Sequence, residues 1–163
     1  MAAHADADDR DLHKALLALH HVIADLVLVV AEHGQRLVDV TYECLMLGIE
    51  QAKPGNRMGD VAHAIQTHAE RHRYSVVRDF CGHGLGQMFH DAPEVVHAGR
   101  PGTGPELRPG MFFTIEPMIN TGKYAVKMLA DGWTAVTRDR SLSAQFEHSI
   151  GITETGCEIF TAS

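Results

Sequence analysis

Two histidines seven residues apart lie in residues 81–93, CGHGLGQMFHDAP, and two isolated glutamates follow in separate apolar segments. The glutamates are Glu116 in FFTIEPMIN and Glu147 in SAQFEHSIGI. The imidazole of His83 and two carboxylates from separate segments make the nitrogen and oxygen donor set that a hard-to-borderline divalent metal takes. A full hydrolytic metal site usually carries more ligands than these three.

Taken singly, each residue has a plainer reading. An unpaired carboxylate in the apolar strand around Glu116 needs a metal, a base or a proton. Strand alternation, however, groups Glu116 with Phe112 and Thr114, and spacing alone slightly favours a solvent-facing position. Glu147 shares a face with Gln145 and Ser149, opposite Phe146, His148 and Ile150, which by itself describes a solvated strand face. His83 sits between Gly82 and Gly84, which let backbone approach closely or take unusual φ, and alone it reads as a turn histidine. His90 precedes Asp91 and alone reads as a histidine capped by an acid. His97 has no supporting context and reads as structural or surface.

The elements that must position these groups follow a helices-first order. Residues 1–9 are small and acidic. Leu12, Leu16, Leu19, Ile23, Leu26 and Val30 step alternately by four and three, which predicts a helix over 9–34 closed by Gly34, although 27–30 could instead be a strand. A second helix is expected over 35–53, with Leu37, Val40, Cys44, Leu47 and Gln51 on one side and Pro54-Gly55 as its stop. A third spans 58–71, with Val61, Ala62, Ile65 and Ala69 inward. Strands are expected over 75–80, 111–119, 124–129, 134–137, 144–153 and 158–161. Residues 98–110 form a Gly/Pro-rich loop, and Asp131-Gly132 reads as a hairpin turn. The fold class is α+β.

The 163 residues suit one domain with a real core, and 45% hydrophobic with 21% charged residues is an ordinary globular mix. A net charge of −7 with scattered basic residues gives nothing to recruit a phosphate backbone, so no nucleic-acid partner is expected. Three unspaced cysteines, Cys44, Cys81 and Cys157, argue against a disulfide framework and for a reducing, cytoplasmic setting. The acidic N-terminus lacks the basic stretch of a signal peptide, and the longest apolar run, 26–31, is too short to span a bilayer.

In order, the strings VVRDFCGHGLGQMFHDAP, LRPGMFFTIEPMIN and DGWTAVTRDRSLSAQFEHSIGITETGCEIF closely resemble the C-terminal half of a bacterial type I methionine aminopeptidase. The resemblance covers residues 35–163, about four-fifths of the chain. It implies a partial pita-bread fold, with N-terminal helices packed on a curved, mainly antiparallel sheet, and a divergent helical segment over 1–34. It places His83, Glu116 and Glu147 on metal-ligand positions. It places His90 on the histidine that contacts the scissile peptide and helps stabilise the transition state. Phe89 and Trp133 fall on walls of the methionine side-chain pocket, and Phe80 stands where an aromatic lines the same pocket. Gln87-Met88 stands where many relatives carry a basic residue.

The resemblance also marks a gap. The family completes its metal pair with two aspartates from DVT-like and GD-[ST]-like strings, and neither string is present. Asp25 in IADLVLVV stands in the right order, but at too short a spacing. Three protein ligands can hold one ion with positions left for water, whereas two ions about 3.5–4 Å apart need bridging and terminal ligands on both. The expectation is therefore one divalent ion (cobalt, manganese, iron or zinc) rather than two. The activity implied is removal of N-terminal methionine from peptides or nascent proteins. The ribosome is a further implied partner, no membrane is expected, and a homodimer could form through the N-terminal helix. The alternative is a truncated, inactive relative serving as a binding or assembly module.

Overall fold

The computed structural model describes residues 31–162. The helix or strand expected before residue 31 lies outside them. The chain divides into two units, 1–36 and 37–163, and the architecture below is that of the second.

The helix α1 is described from residue 31 to residue 51, so Gly34 lies inside a helix rather than closing one. It buries Leu37, Val40, Cys44, Leu45, Gly48 and Ile49, a stripe at three- and four-residue steps. Leu47, expected inward, is only partly buried, because the stripe drifts toward Leu45 and Ile49 as the helix turns at 3.6 residues. Gly48 leaves room for the next helix: a Cβ there would lie 2.8 Å from Cδ1 of Ile65. Beyond the helix, Gly55 takes φ +86°, and the side chain of Asn56 donates to the carbonyl of Gln51 at 2.9 Å.

Helix α2 spans Met58–Arg71, as the periodicity predicts, and buries Val61, Ala62, Ile65 and Ala69. The Asp60 carboxylate accepts the Arg57 N–H at 2.7 Å and secures its first turn.

Ten short strands follow: β1 Ser75–Val76, β2 Gly82–Gly84, β3 Asp91–Val95, β4 Phe112–Ile115, β5 Met118–Asn120, β6 Val126–Met128, β7 Ala135–Thr137, β8 Ser143–Gln145, β9 His148–Ile152 and β10 Cys157–Ile159. They form an antiparallel five-stranded sheet in the order β10-β9-β4-β2-β3, a three-stranded sheet β1-β5-β8 and a hairpin β6-β7. Leu37, Leu45 and Ile49 of α1 and Val61 and Ile65 of α2 share one apolar core with Phe113, Ile115 and Ile150 of the larger sheet. The α+β class and the helices-on-sheet arrangement expected from the sequence both hold.

The strand boundaries differ in an informative way. The single strand expected over 111–119 is two strands in different sheets, β4 and β5, and that over 144–153 is likewise β8 and β9. Ile115 pairs with His148 and Met118 pairs with Gln145. Between these rungs Glu116-Pro117 on one segment and Phe146-Glu147 on the other are left out of the ladder. Pro117 has no N–H to give a ladder, so this is where a continuous pairing must break. The chain also pairs at β2 and β3, where no strand was expected, because the glycines of β2 and the Asp91 and Pro93 of β3 are residues depleted in strands. The turn at Asp131-Gly132 stands as expected: Gly132 takes φ +69°, and the Asp131 carboxylate accepts the N–H groups of Trp133 and Thr134 at 3.0 and 2.9 Å.

Candidate functional site

Both glutamates sit where the chain passes from one sheet to the other. Glu116 follows β4 on its way to β5, and Glu147 follows β8 on its way to β9. Strand β2 lies on the other side of β4, with Gly84 opposite Phe113, and brings His83 to the same place. Ligand atoms of His83, Glu116 and Glu147 all lie within 4.8 Å of one another. Nε2 of His83 is 3.9 Å from Oε1 of Glu116.

Glycine is needed on both sides of His83. A Cβ on Gly82 would run into the Thr114 carbonyl, and one on Gly84 into the Ala92 carbonyl. The glycines thus let β2 press between β3 and β4, which is what carries the imidazole to the glutamates.

Thr114 ties the two ligand candidates together. Its buried hydroxyl accepts the His83 backbone N–H at 3.0 Å and donates to Oε1 of Glu116 at 2.7 Å. Strand alternation correctly groups Thr114 with Glu116, but the face they share is not the solvent-facing one. Thr114 is fully buried, and the Glu116 side chain is 16% exposed. Gln145 donates to the other carboxylate oxygen of Glu116 at 3.3 Å. Glu147 is exposed, as its solvated-face reading has it, yet its carboxylate reaches the cluster.

The ring of His83 lies 3.0 Å, through Nδ1, from the carbonyl of its neighbour Gly84. A proton on Nδ1 makes that contact a hydrogen bond and leaves the Nε2 lone pair facing Glu116, the tautomer a metal ligand requires. Burial pushes the Glu116 carboxyl above the usual carboxylate range, and the neighbouring charge of Glu147 pushes the same way. The Thr114 hydroxyl, His83 and His90 pull it back down. Two close carboxylates beside an imidazole nitrogen make a donor set that a divalent cation fits.

His97 belongs to this site, although its sequence context carries no sign of it. It is 3% exposed, and its Nε2 accepts the backbone N–H of Glu116 at 3.0 Å. Burial lowers its pKa to about 4, so the ring is neutral and free to accept. Thr114, Gln145 and His97 are the supporting residues that the sequence reading passed over. Thr114 and Gln145 left a signal, as strand-face neighbours of Glu116 and Glu147, and His97 left none.

His90 is exposed and its ring stands 4.5 Å from that of His83, with Phe89 4.7 Å from His90. The expected ligand residues and the expected contact histidine are thus together. The expected pocket walls are spread out. Phe89 is 77% exposed and Trp133, in the β6–β7 loop, 87% exposed. Phe80 lines a cavity of about 340 Å³ together with His97, and a second of about 320 Å³ together with Met118 and Val136.

Residues 16–154 match metallopeptidase family M24. The chain belongs to that family. Among M24 relatives it is 57% identical over 135 residues to a methionine aminopeptidase of Rickettsia prowazekii, covering 82% of this chain and 52% of the relative. It is 59% identical over 128 residues to methionine aminopeptidase A of Synechocystis, covering 78% and 51%. The crystal structure of the Thermotoga maritima methionine aminopeptidase superposes with a TM-score of 0.79 at 49% identity, covering 81% of this chain and 53% of that one. The M24 chain therefore has the pita-bread architecture in part, and it spans about half the length of the relatives it matches. Membership of M24 brings dependence on a divalent metal. Among the described residues, no helix is long and apolar enough to cross a membrane.

Proposed function

We propose that this M24 chain carries the metal-binding half of an aminopeptidase that removes N-terminal methionine from peptides or nascent proteins. The observation that supports it most is the meeting of His83, Glu116 and Glu147 at the sheet crossing, in a chain about half identical or better to methionine aminopeptidases.

His83, Glu116 and Glu147 would hold one divalent ion, since three protein donors satisfy one ion with positions to spare and serve two poorly. A divalent ion bound there supplies Lewis acidity toward a scissile carbonyl and toward water. Thr114 and His97 keep Glu116 in place by holding its carboxylate and its backbone. The exposed ring of His90, next to His83, can donate a hydrogen bond to the oxygen that gains charge during attack on the peptide. Phe89 flanks it and offers an apolar surface to the substrate side chain. The donor set takes cobalt, manganese, iron or zinc alike. The ribosome as partner has no observation among the described residues to carry it, and pairing of two chains through 9–34 falls almost wholly outside them.

Methionine release from a Met-Ala-type peptide tests the reading. Release by the purified chain that needs added metal and is abolished in Glu147→Ala supports it. Absence of metal-dependent release, or release unaffected by Glu147→Ala, overturns it.

A further inference from the structure

A second cluster of metal-type donors is built by α1 and α2 and shares no residue with the first. His68 lies in the last turn of α2 and His72 is its C-cap residue. Four residues apart, they project from one side of the helix, and their ring centroids are 4.7 Å apart. Glu43 of α1 reaches them: its Oε2 is 2.7 Å from Nε2 of His68. Ligand atoms of all three residues lie within 4.8 Å of one another.

Two further features point to a cation. Among the described residues, Nδ1 of His72 is buried with no hydrogen-bond partner, and a buried nitrogen left so calls for an occupant. The cluster also sits at the C-terminal end of α2, where the helix dipole favours positive charge.

We propose that Glu43, His68 and His72 form a second divalent-metal site of zinc type, clamping α1 to the end of α2. Two imidazoles four residues apart on a helix and one carboxylate from a neighbouring element are a zinc donor set. The Glu43 side chain is 52% exposed, so a fourth position stays open to water. The ion joins two helices whose buried faces already meet at Cys44 and Ile65, and binding to the folded chain alone raises its stability.

Zinc titration of the full chain by calorimetry tests this, with Glu116→Ala and Glu147→Ala introduced together to remove the first cluster. That variant is expected to keep a zinc equivalent that is lost, or weakened at least tenfold, when His68→Ala and His72→Ala are added. Other histidines of the chain bind equally in both proteins, so the difference between them isolates the site. Glu43→Gln, an exposed change on α1 that leaves both imidazoles in place, should weaken the same equivalent and reduce the rise in Tm on adding zinc. Unchanged zinc stoichiometry and affinity in the histidine variant overturn the proposal. Should that variant not fold, an unchanged zinc response in Glu43→Gln overturns it instead. Methionine release plays no part in the readout, so failure of this site is distinguishable from failure of the first.

Discussion

His97 accepts the backbone N–H of Glu116 through Nε2 at 3.0 Å, from a position almost fully removed from solvent. The bond holds Glu116 where the chain has just left β4 and has no ladder partner. Replacing His97 by Phe keeps the ring volume but leaves that N–H unpaired, at about 1–3 kcal/mol. Chemical denaturation should show this loss, and metal titration should show weaker binding at the His83 cluster. Full stability together with full metal affinity in His97→Phe would contradict the positioning role.

Thr114→Val is a sharper probe, because valine copies the shape and deletes only the hydroxyl. The His83 N–H loses its acceptor and Glu116 loses its donor. Groups that orient metal ligands are typically worth 10- to 100-fold in affinity, and metal binding is expected to weaken by roughly that factor. Serine at 114 retains the hydroxyl and should recover most of the binding. Equal affinity in the valine and serine variants would rule out the bridge.

Cys44 should resist alkylation in the native protein. Burial, aided by the adjacent Glu43 charge, pushes its thiol up to about 12, and no part of it reaches solvent. The thiols of Cys81 and Cys157 are also raised by burial, but both residues are partly exposed. Iodoacetamide labelling read by mass spectrometry should modify Cys81 and Cys157 first, with Cys44 following only in denaturant. Equal native rates at all three would show that α1 does not pack as described.

Asp139 gives the acid limb of stability a local contributor. Its carboxylate accepts the Lys123 N–H at 2.7 Å and the Ser141 N–H at 3.1 Å. These bonds, the Lys123 one foremost, lower its pKa from 3.8 to about 2. A depressed carboxyl stabilises the fold above its unfolded value and ceases to do so as pH falls through its folded value. The Tm deficit of Asp139→Ala should therefore be constant near neutrality and shrink as pH drops from 3.8 to about 2. A deficit independent of pH across that window would mean the carboxylate charge is not what matters.

Part of the candidate site's geometry is legible in the sequence. The glycines around His83 announce close backbone approach, and the Cβ collisions at Gly82 and Gly84 supply the reason. Helix α2 was readable to the residue from its apolar period. Glu116 was harder. Alternation placed it beside Thr114, which is correct, but alternation cannot tell which face of a strand is covered. His97 was not legible at all, because an isolated histidine in sequence has the same appearance whether it is buried against a distant amide or exposed.

The chain's residues, read in order, determine its family, its α+β class, and the chemistry available to His83, Glu116, Glu147 and His90. Those are properties of residue type, spacing and local period, and they need no partner from elsewhere in the chain. Tertiary structure alone decides that β4–β5 and β8–β9 each change sheets at a glutamate, and that the two crossings face each other across the Ile115–His148 and Met118–Gln145 rungs. It alone brings Thr114, Gln145 and His97 to Glu116, and Glu43 to His68. Pairing across tens of residues depends on which strand edges and helix faces are buried together, and that is settled by packing of the whole core rather than by any local segment.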